Sequence, residues 1–294
     1  MEAIVVLVGF LGAGKTTFLR EVVSRYLADD WQVQVILNDY QNALLDSQRF
    51  LDILNKDQNN ALNGSCICCN GLAELRTQLN GMKPREKGIT FIEANGTTDA
   101  CALMEFLGVG LKEHYLPPIQ VSIVNVKDWQ KRDIHNQLEA NQVQVSSLVV
   151  LNHTEGVEQQ RLDEVKDQIM QVNPSAQFSV WADVDLMSIP GLPASSNSYE
   201  KLDHQKSHWA SCSADLPDPM SSARLEKVLD KLPKSILRVK GCTRLDEDDY
   251  YSYFEKIPSQ EAIVRPYRGT LVSGPKLLVV GPGSDPEFLQ DILN

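Results

Sequence analysis

No apolar run in this sequence reaches the roughly eighteen residues that a membrane span requires, and the opening Met-Glu-Ala carries no positive leader. A cytoplasmic protein without membrane insertion is expected. Positive charge is scarce as well: 28 Lys plus Arg stand against 39 Asp plus Glu, for a net charge of -11. That balance argues against nucleic acid as a partner, which calls for a clustered basic face. Internal repeats and low-complexity tracts are missing too. The six cysteines are not spread as in a secreted disulfide scaffold: Cys66, Cys68 and Cys69 crowd into four positions, and the neighbours Cys68 and Cys69 make an awkward disulfide. Reduced thiols are expected. With 294 residues and 43% hydrophobic content, the chain can build one large core or two domains.

What is present is organised around Gly9-Phe10-Leu11-Gly12-Ala13-Gly14-Lys15-Thr16-Thr17, which follows the apolar run Ile4 to Val8 and opens the amphipathic run Phe18 to Tyr26. The order is strand, glycine loop, helix. Small residues let backbone N-H groups converge on phosphate oxygens, Lys15 reaches the β and γ phosphates, and the Thr16 hydroxyl takes a place on Mg2+. The helix directs its positive end at the same phosphates. Gly12, Ala13, Gly14, Lys15, Thr16 and Thr17 are therefore the candidate phosphate-binding residues.

From residue 1 to 185 short apolar runs alternate with helical patterns: Ile4 to Val8, Val33 to Leu37, Ile89 to Ile92, Ile119 to Val124, Leu148 to Leu151 and Phe178 to Val180. Strand alternating with helix predicts an α/β fold with a mostly parallel, doubly wound sheet, and ligands in such sheets sit beyond the carboxyl ends of the strands. Residues 186–206 hold Pro190, Gly191, Pro193 and a serine-rich run without apolar periodicity, which reads as a linker. Residues 207–294 predict a smaller α+β domain. It has a strand near His208 to Ser213, a helix near Met220 to Leu232, a strand over Ile236 to Val239, a polar-aromatic stretch Tyr250 to Phe254, an apolar run Leu277 to Val280 and a final helix Pro286 to Leu293.

Cys66-Ile67-Cys68-Cys69 precedes a helix that begins near Leu72. Three thiolates on one short loop can converge on a soft or borderline ion such as zinc while a fourth position stays open, as a site that must release its metal requires. The alternatives are three small buried residues or a redox pair. Cys101, Cys212 and Cys242, each alone, read as core.

The glycine loop and the cysteine cluster together resemble the CobW-like family of P-loop GTPases, metallochaperones and metal-cofactor assembly factors. Gly9 to Thr17 is similar to that family's GFLGAGKTT, and Cys66 to Cys69 to its Cys-x-Cys-Cys. Glu93-Ala94-Asn95-Gly96 resembles its Glu-x-x-Gly, and Arg238-Val239-Lys240-Gly241 its Arg-x-Lys-Gly. Glu93 ends an apolar strand, which would turn its carboxylate toward Mg2+ or toward the water aligned with the γ phosphate, while Gly96 lets backbone approach that phosphate. Asn38-Asp39-Tyr40-Gln41-Asn42 stands where the family carries Asn-Glu-Phe-Gly-Glu. Asp39 keeps the first acid, a candidate fourth metal ligand, whereas Asn42 has lost the second.

The base-recognition motif departs most: Asn152-His153-Thr154-Glu155 replaces Asn-Lys-x-Asp. Glu155 can accept from guanine N1 and N2 from one methylene further out, and His153 can stack on the ring. Guanine is the first choice, with adenine or relaxed selectivity as the alternative. The resemblance implies a slow GTP hydrolase using Lys15, Thr16 and Glu93. Zinc, or else cobalt or iron, would sit on Cys66, Cys68, Cys69 and Asp39, and hydrolysis would hand the ion to a client metalloprotein. Two rivals are a P-loop small-molecule kinase and a nucleotide-binding regulatory or scaffold protein without turnover.

Overall fold

A computed structural model of the chain describes residues 1–38, 50, 52–62, 72–195, 211–233, 236, 238–256, 261–267, 274–280 and 286–293. Two compact units divide it, Met1–Ser207 and His208–Asn294. In the first, β1 (Ala3–Val8), β2 (Gln32–Asn38), β3 (Asn59–Leu62), β4 (Gly88–Glu93), β5 (Ile119–Asn125), β6 (Leu148–Asn152) and β7 (Gln177–Val180) form one sheet in the order β3-β2-β4-β1-β5-β6-β7. Every pairing in it is parallel. The six apolar runs read from the sequence all become strands; β3 is the one that periodicity does not reveal.

Alternation along each strand decides which helix it meets. Val5 and Leu7 of β1 join a core with Phe18, Leu19, Val22, Val23 and Tyr26 of α1 (Lys15–Ala28). Ile4, Val6 and Val8 face the other way, onto Leu75 and Leu79 of α2 (Leu72–Gly81) and Leu103 and Leu107 of α3 (Ala100–Leu107). A third cluster packs α4 (Asn136–Gln144) and α5 (Gln159–Val172) against β5 and β6. The chain leaves β1 for one side of the sheet, returns at β4, and then builds β5 to β7 on the other side. β1 therefore stands at the reversal of strand order, where open α/β sheets bind ligands.

The linker expected over 186–206 needs correction at its start. Leu186–Gly191 forms a 3-10 helix whose Ile189 is 1% exposed within the first core, and the Tyr26 hydroxyl donates to the Leu186 carbonyl at 2.9 Å. Pro190 and Gly191 mark a tight turn that an apolar anchor folds back onto α1. Residues 196–206 lie outside the described residues.

The second unit is an antiparallel sheet in the order β11-β10-β9-β12-β8, from β8 (Ser211–Asp215), β9 (Arg238–Arg244), β10 (Tyr251–Lys256), β11 (Ile263–Pro266) and β12 (Lys276–Val280). Val239, Phe254, Leu277 and Val279 pack with α6 (Ser222–Lys231) and α7 (Pro286–Leu293) on one face. The strand expected over Ile236 to Val239 starts later and runs longer, and the stretch from Tyr250 is itself a strand. β11 is not signalled by the sequence, because all four of its residues are exposed. Among the described residues no helix is long and apolar enough to cross a membrane.

Candidate functional site

The glycine loop links the carboxyl end of β1 to α1. Gly9, Gly12 and Gly14 hold φ of 148°, 78° and 102°, backbone that L side chains rarely adopt. A methyl group at Gly9 would collide with the Ile123 carbonyl oxygen, and one at Gly14 would lie 2.5 Å from Asn152 Nδ2. No side chain caps α1, whose N-cap is Gly14, and its first turn holds no acid. The positive end of the helix dipole thus faces the loop with no acid of its own first turn beside it, as suits an anion supplied from outside the helix.

Lys15, 5% exposed, folds back over the loop, and its Nζ donates to the Gly9 carbonyl at 2.7 Å and the Phe10 carbonyl at 3.3 Å. Thr16 Oγ1 donates to Glu93 Oε1 at 2.7 Å, joining the first turn of α1 to the end of β4. Two hard oxygen donors at that spacing, beside a buried ammonium and a helix N-terminus, fit a Mg2+ ion with phosphate oxygens. Gly96, three residues beyond Glu93, touches the same loop: a methyl on it would meet Leu11 Cδ2 at 2.6 Å and Leu11 N at 2.9 Å. On the flank, the Arg132 guanidinium stacks over the Phe10 ring at 4.3 Å. Burial, with Arg132 adding to it, holds the neighbouring His135 imidazole below its ordinary value.

The candidate base-recognition residues arrive from β6. Asn152 Nδ2 donates to the Ala13 carbonyl at 2.8 Å, and His153 Nε2 lies 3.2 Å from the Gly12 carbonyl. A ring nitrogen facing a carbonyl must carry the proton, which fixes the tautomer of a neutral His153. His153 adopts the left-handed backbone at φ 57° to reach that position. Glu155 follows as an exposed residue. Asn152 and His153 thus buttress the phosphate loop directly, a role that motif spacing alone does not disclose. Trp181 stands edge-on to Phe18 at 5.1 Å and donates to Glu21 Oε2 at 2.8 Å.

The candidate metal ligands Asp39, Cys66, Cys68 and Cys69 lie outside the described residues, and no group of three or more metal-ligating side chains occurs among the described ones. Cys101 and Cys242 are buried as expected, and burial pushes both thiols up to about 12. The side chain of Cys212 is likewise outside the described set. The strands bounding the cysteine segment are described: in register, Asn38 at the end of β2 faces Leu62 at the end of β3, and Leu37 faces Glu93.

The sequence pattern of the CobW/HypB/UreG nucleotide-binding domain matches residues 3–180. Zinc chaperone YjiA of Escherichia coli (strain K12) is 23% identical over 278 residues, covering 87% of this chain and 86% of that protein. Zinc-regulated GTPase metalloprotein activator 1 of Dictyostelium discoideum is 23% identical over 211 residues, 59% of this chain and 44% of that protein. The crystal structure of Zn(II)-bound YjiA GTPase from E. coli superposes over 99% of this chain and 98% of that one, with 16% identity and a TM-score of 0.42.

Proposed function

The chain belongs to the CobW/HypB/UreG nucleotide-binding family, and from that premise we propose that it couples GTP hydrolysis to the delivery of zinc from a Cys66, Cys68 and Cys69 site to a client metalloprotein. The protein is a GTP hydrolase of that family. Lys15 neutralises the β and γ phosphate oxygens, and the Thr16 hydroxyl with the Glu93 carboxylate would hold Mg2+, which when bound supplies further neutralisation of the charge that develops on the leaving phosphate. Gly96 brings backbone against the phosphate loop. Asn152 and His153 set the floor of the base pocket, and the exposed Glu155 accepts from guanine. The buttressing of the loop by Asn152 supports that reading, since one residue then serves both ends of the nucleotide.

The observation that carries the coupling is the register of β2, β3 and β4. Their ends lie side by side, with Leu37 facing Glu93 and Asn38 facing Leu62. Asp39 is the next residue after Asn38, and three residues separate Leu62 from Cys66, a tether of four Cα steps or at most about 14 Å. Chain length alone keeps the thiolates near the sheet end that carries Glu93, and a coupling between γ phosphate and metal would run through the chain that joins β2 to the cysteines. Thiolate softness supports zinc, as do the names of the two relatives, a zinc chaperone and a zinc-regulated GTPase; cobalt or iron accepts the same ligands. Reduced thiols fit a cytoplasmic setting.

The test is a zinc titration of the nucleotide-free protein, the Mg-GDP form and a form holding Mg2+ with a non-hydrolysable GTP analogue. Affinities should differ among them, and equal affinities in all three would sink the coupling, because a ligand indifferent to two states shifts neither. Cys68→Ser should weaken zinc on the order of 100-fold or more while nucleotide affinity stays within about twofold.

A further inference from the structure

α4 has an unusual composition for a packed helix: its buried residues include Glu139, Asn141 and Gln142. Gln142 is 1% exposed and works at both ends. Its Nε2 donates to the Gly96 carbonyl at 2.9 Å and the Thr98 carbonyl at 3.2 Å. Two carbonyl acceptors fix which end of the amide faces the loop, since an oxygen turned toward them would be repelled. The Gln142 backbone carbonyl accepts from Gln120 Nε2 at 2.7 Å, Ser122 Oγ at 2.6 Å and Ser146 Oγ at 3.4 Å. Ser122 lies on β5 in register with Val8, the residue before the glycine loop. One residue thereby spans from the strand beside the phosphate loop to the turn that follows Glu93.

Asn141 reinforces the same turn. Its Oδ1 accepts from the Ala100 amide at 2.9 Å and its Nδ2 donates to Asp99 Oδ1 at 3.0 Å, while Asp99 caps α3 by accepting from the Ala102 amide at 3.0 Å. Gly96 is enclosed on both sides, by Leu11 at its Cα and by Gln142 at its carbonyl.

We propose that Gln142 is a positioning residue for the triphosphate state: it holds the Gly96 to Thr98 turn at a set height over the phosphate loop, so that the turn meets a γ phosphate already ordered. The proposal rests on the nucleotide reading above. A diphosphate makes no demand on this turn, so the effect of Gln142 is specific to the third phosphate.

The experiment compares wild type with Gln142→Met, which keeps the length of the side chain and removes the donor. Affinities for GDP and for a non-hydrolysable GTP analogue, both with Mg2+, are measured by calorimetry. Analogue affinity should fall about tenfold, as expected for buried carbonyls stripped of their donor, and GDP affinity should stay within about twofold. Equal losses for both nucleotides, or no loss for either, would overturn the proposal. If Gln142→Met does not fold, Gln142→Glu serves instead: only its neutral carboxyl can donate to the turn, so its analogue affinity relative to wild type should rise as pH falls from about 8 to about 6. A flat ratio overturns the proposal equally. Failure of the hydrolase reading shows itself separately, as wild-type protein that binds both nucleotides and releases no phosphate.

Discussion

The two units each contain a family-like motif with a glycine at or within a regular element, yet the space each glycine leaves is filled differently. At Gly14 a side chain would enter a polar junction between Asn152 Nδ2 and the phosphate loop, with Trp181 Cζ3 3.1 Å away. At Gly241, the end of Arg238-Val239-Lys240-Gly241, it would enter the Phe254 ring, 2.6 Å from Cε2, and lie 2.8 Å from the Lys276 carbonyl. The helix starts differ in the same sense. α1 begins at Gly14 with no side-chain cap, whereas α6 begins at Ser221, whose side chain accepts from the Arg224 amide. A helix start without a side-chain cap suits a ligand; one capped by its own side chain suits stability. A glycine in a family-like motif is thus suited to binding in the first unit and to packing in the second.

Exchanging the two glycines tests that contrast most strongly. Gly14→Ala should lower nucleotide affinity by about 100-fold, since it distorts the backbone that cradles phosphate, with a stability loss of about 1–2 kcal/mol from the positive φ. Gly241→Ala should do the reverse: overpacking against Phe254 costs about 3 kcal/mol, and nucleotide affinity stays within about twofold. Calorimetric titration and thermal unfolding on both variants provide the readings. Should Gly241→Ala weaken nucleotide as much as Gly14→Ala, the division of roles between the units is wrong.

What the sequence disclosed and what it hid follow from the range of the interactions. The strand preceding Gly9 and the helix following Lys15 are local patterns, and the Thr16 to Glu93 bond was foreseeable because each motif places its residue at the same end of a parallel sheet. β3 escaped because Asn59 and Asn60 are poor strand residues whose pairing comes from β2, and β11 because none of its residues is buried. Ile189 anchors a segment that otherwise looks like a linker, and one apolar residue beside Pro190 gives no periodicity to read. The bonds from Asn152 and His153 to the loop carbonyls, and from Gln142 to Gly96, join residues far apart in the chain. Polar side chains at buried helical positions carry no periodic signal, so nothing in the sequence marks Glu139, Asn141 and Gln142 of α4 as buried.

The smallest expected effect concerns what holds the second unit's motif in place. Arg238 Nε donates to Glu255 Oε1 at 2.8 Å, and Lys240 faces Glu255 across the β9–β10 ladder. Burial alone would raise the Glu255 carboxyl, but the charges of Arg238 and Lys240, with hydrogen bonds from Arg238 and Tyr253, outweigh it and leave the group below its ordinary value of 4.5. Because the folded value is the lower one, the stabilisation is fully present above pH 4.5 and disappears as pH falls through the folded value. Glu255→Gln should therefore cost about 1–2 kcal/mol near neutral pH. In acid the gap between variant and wild type should close, as unfolding midpoints recorded across that range would reveal. Nucleotide affinity should not move at all, because this ion pair braces a sheet rather than a phosphate. A gap that instead widened in acid would mean that folding raises the Glu255 carboxyl above its ordinary value, so that burial outweighs Arg238 and Lys240.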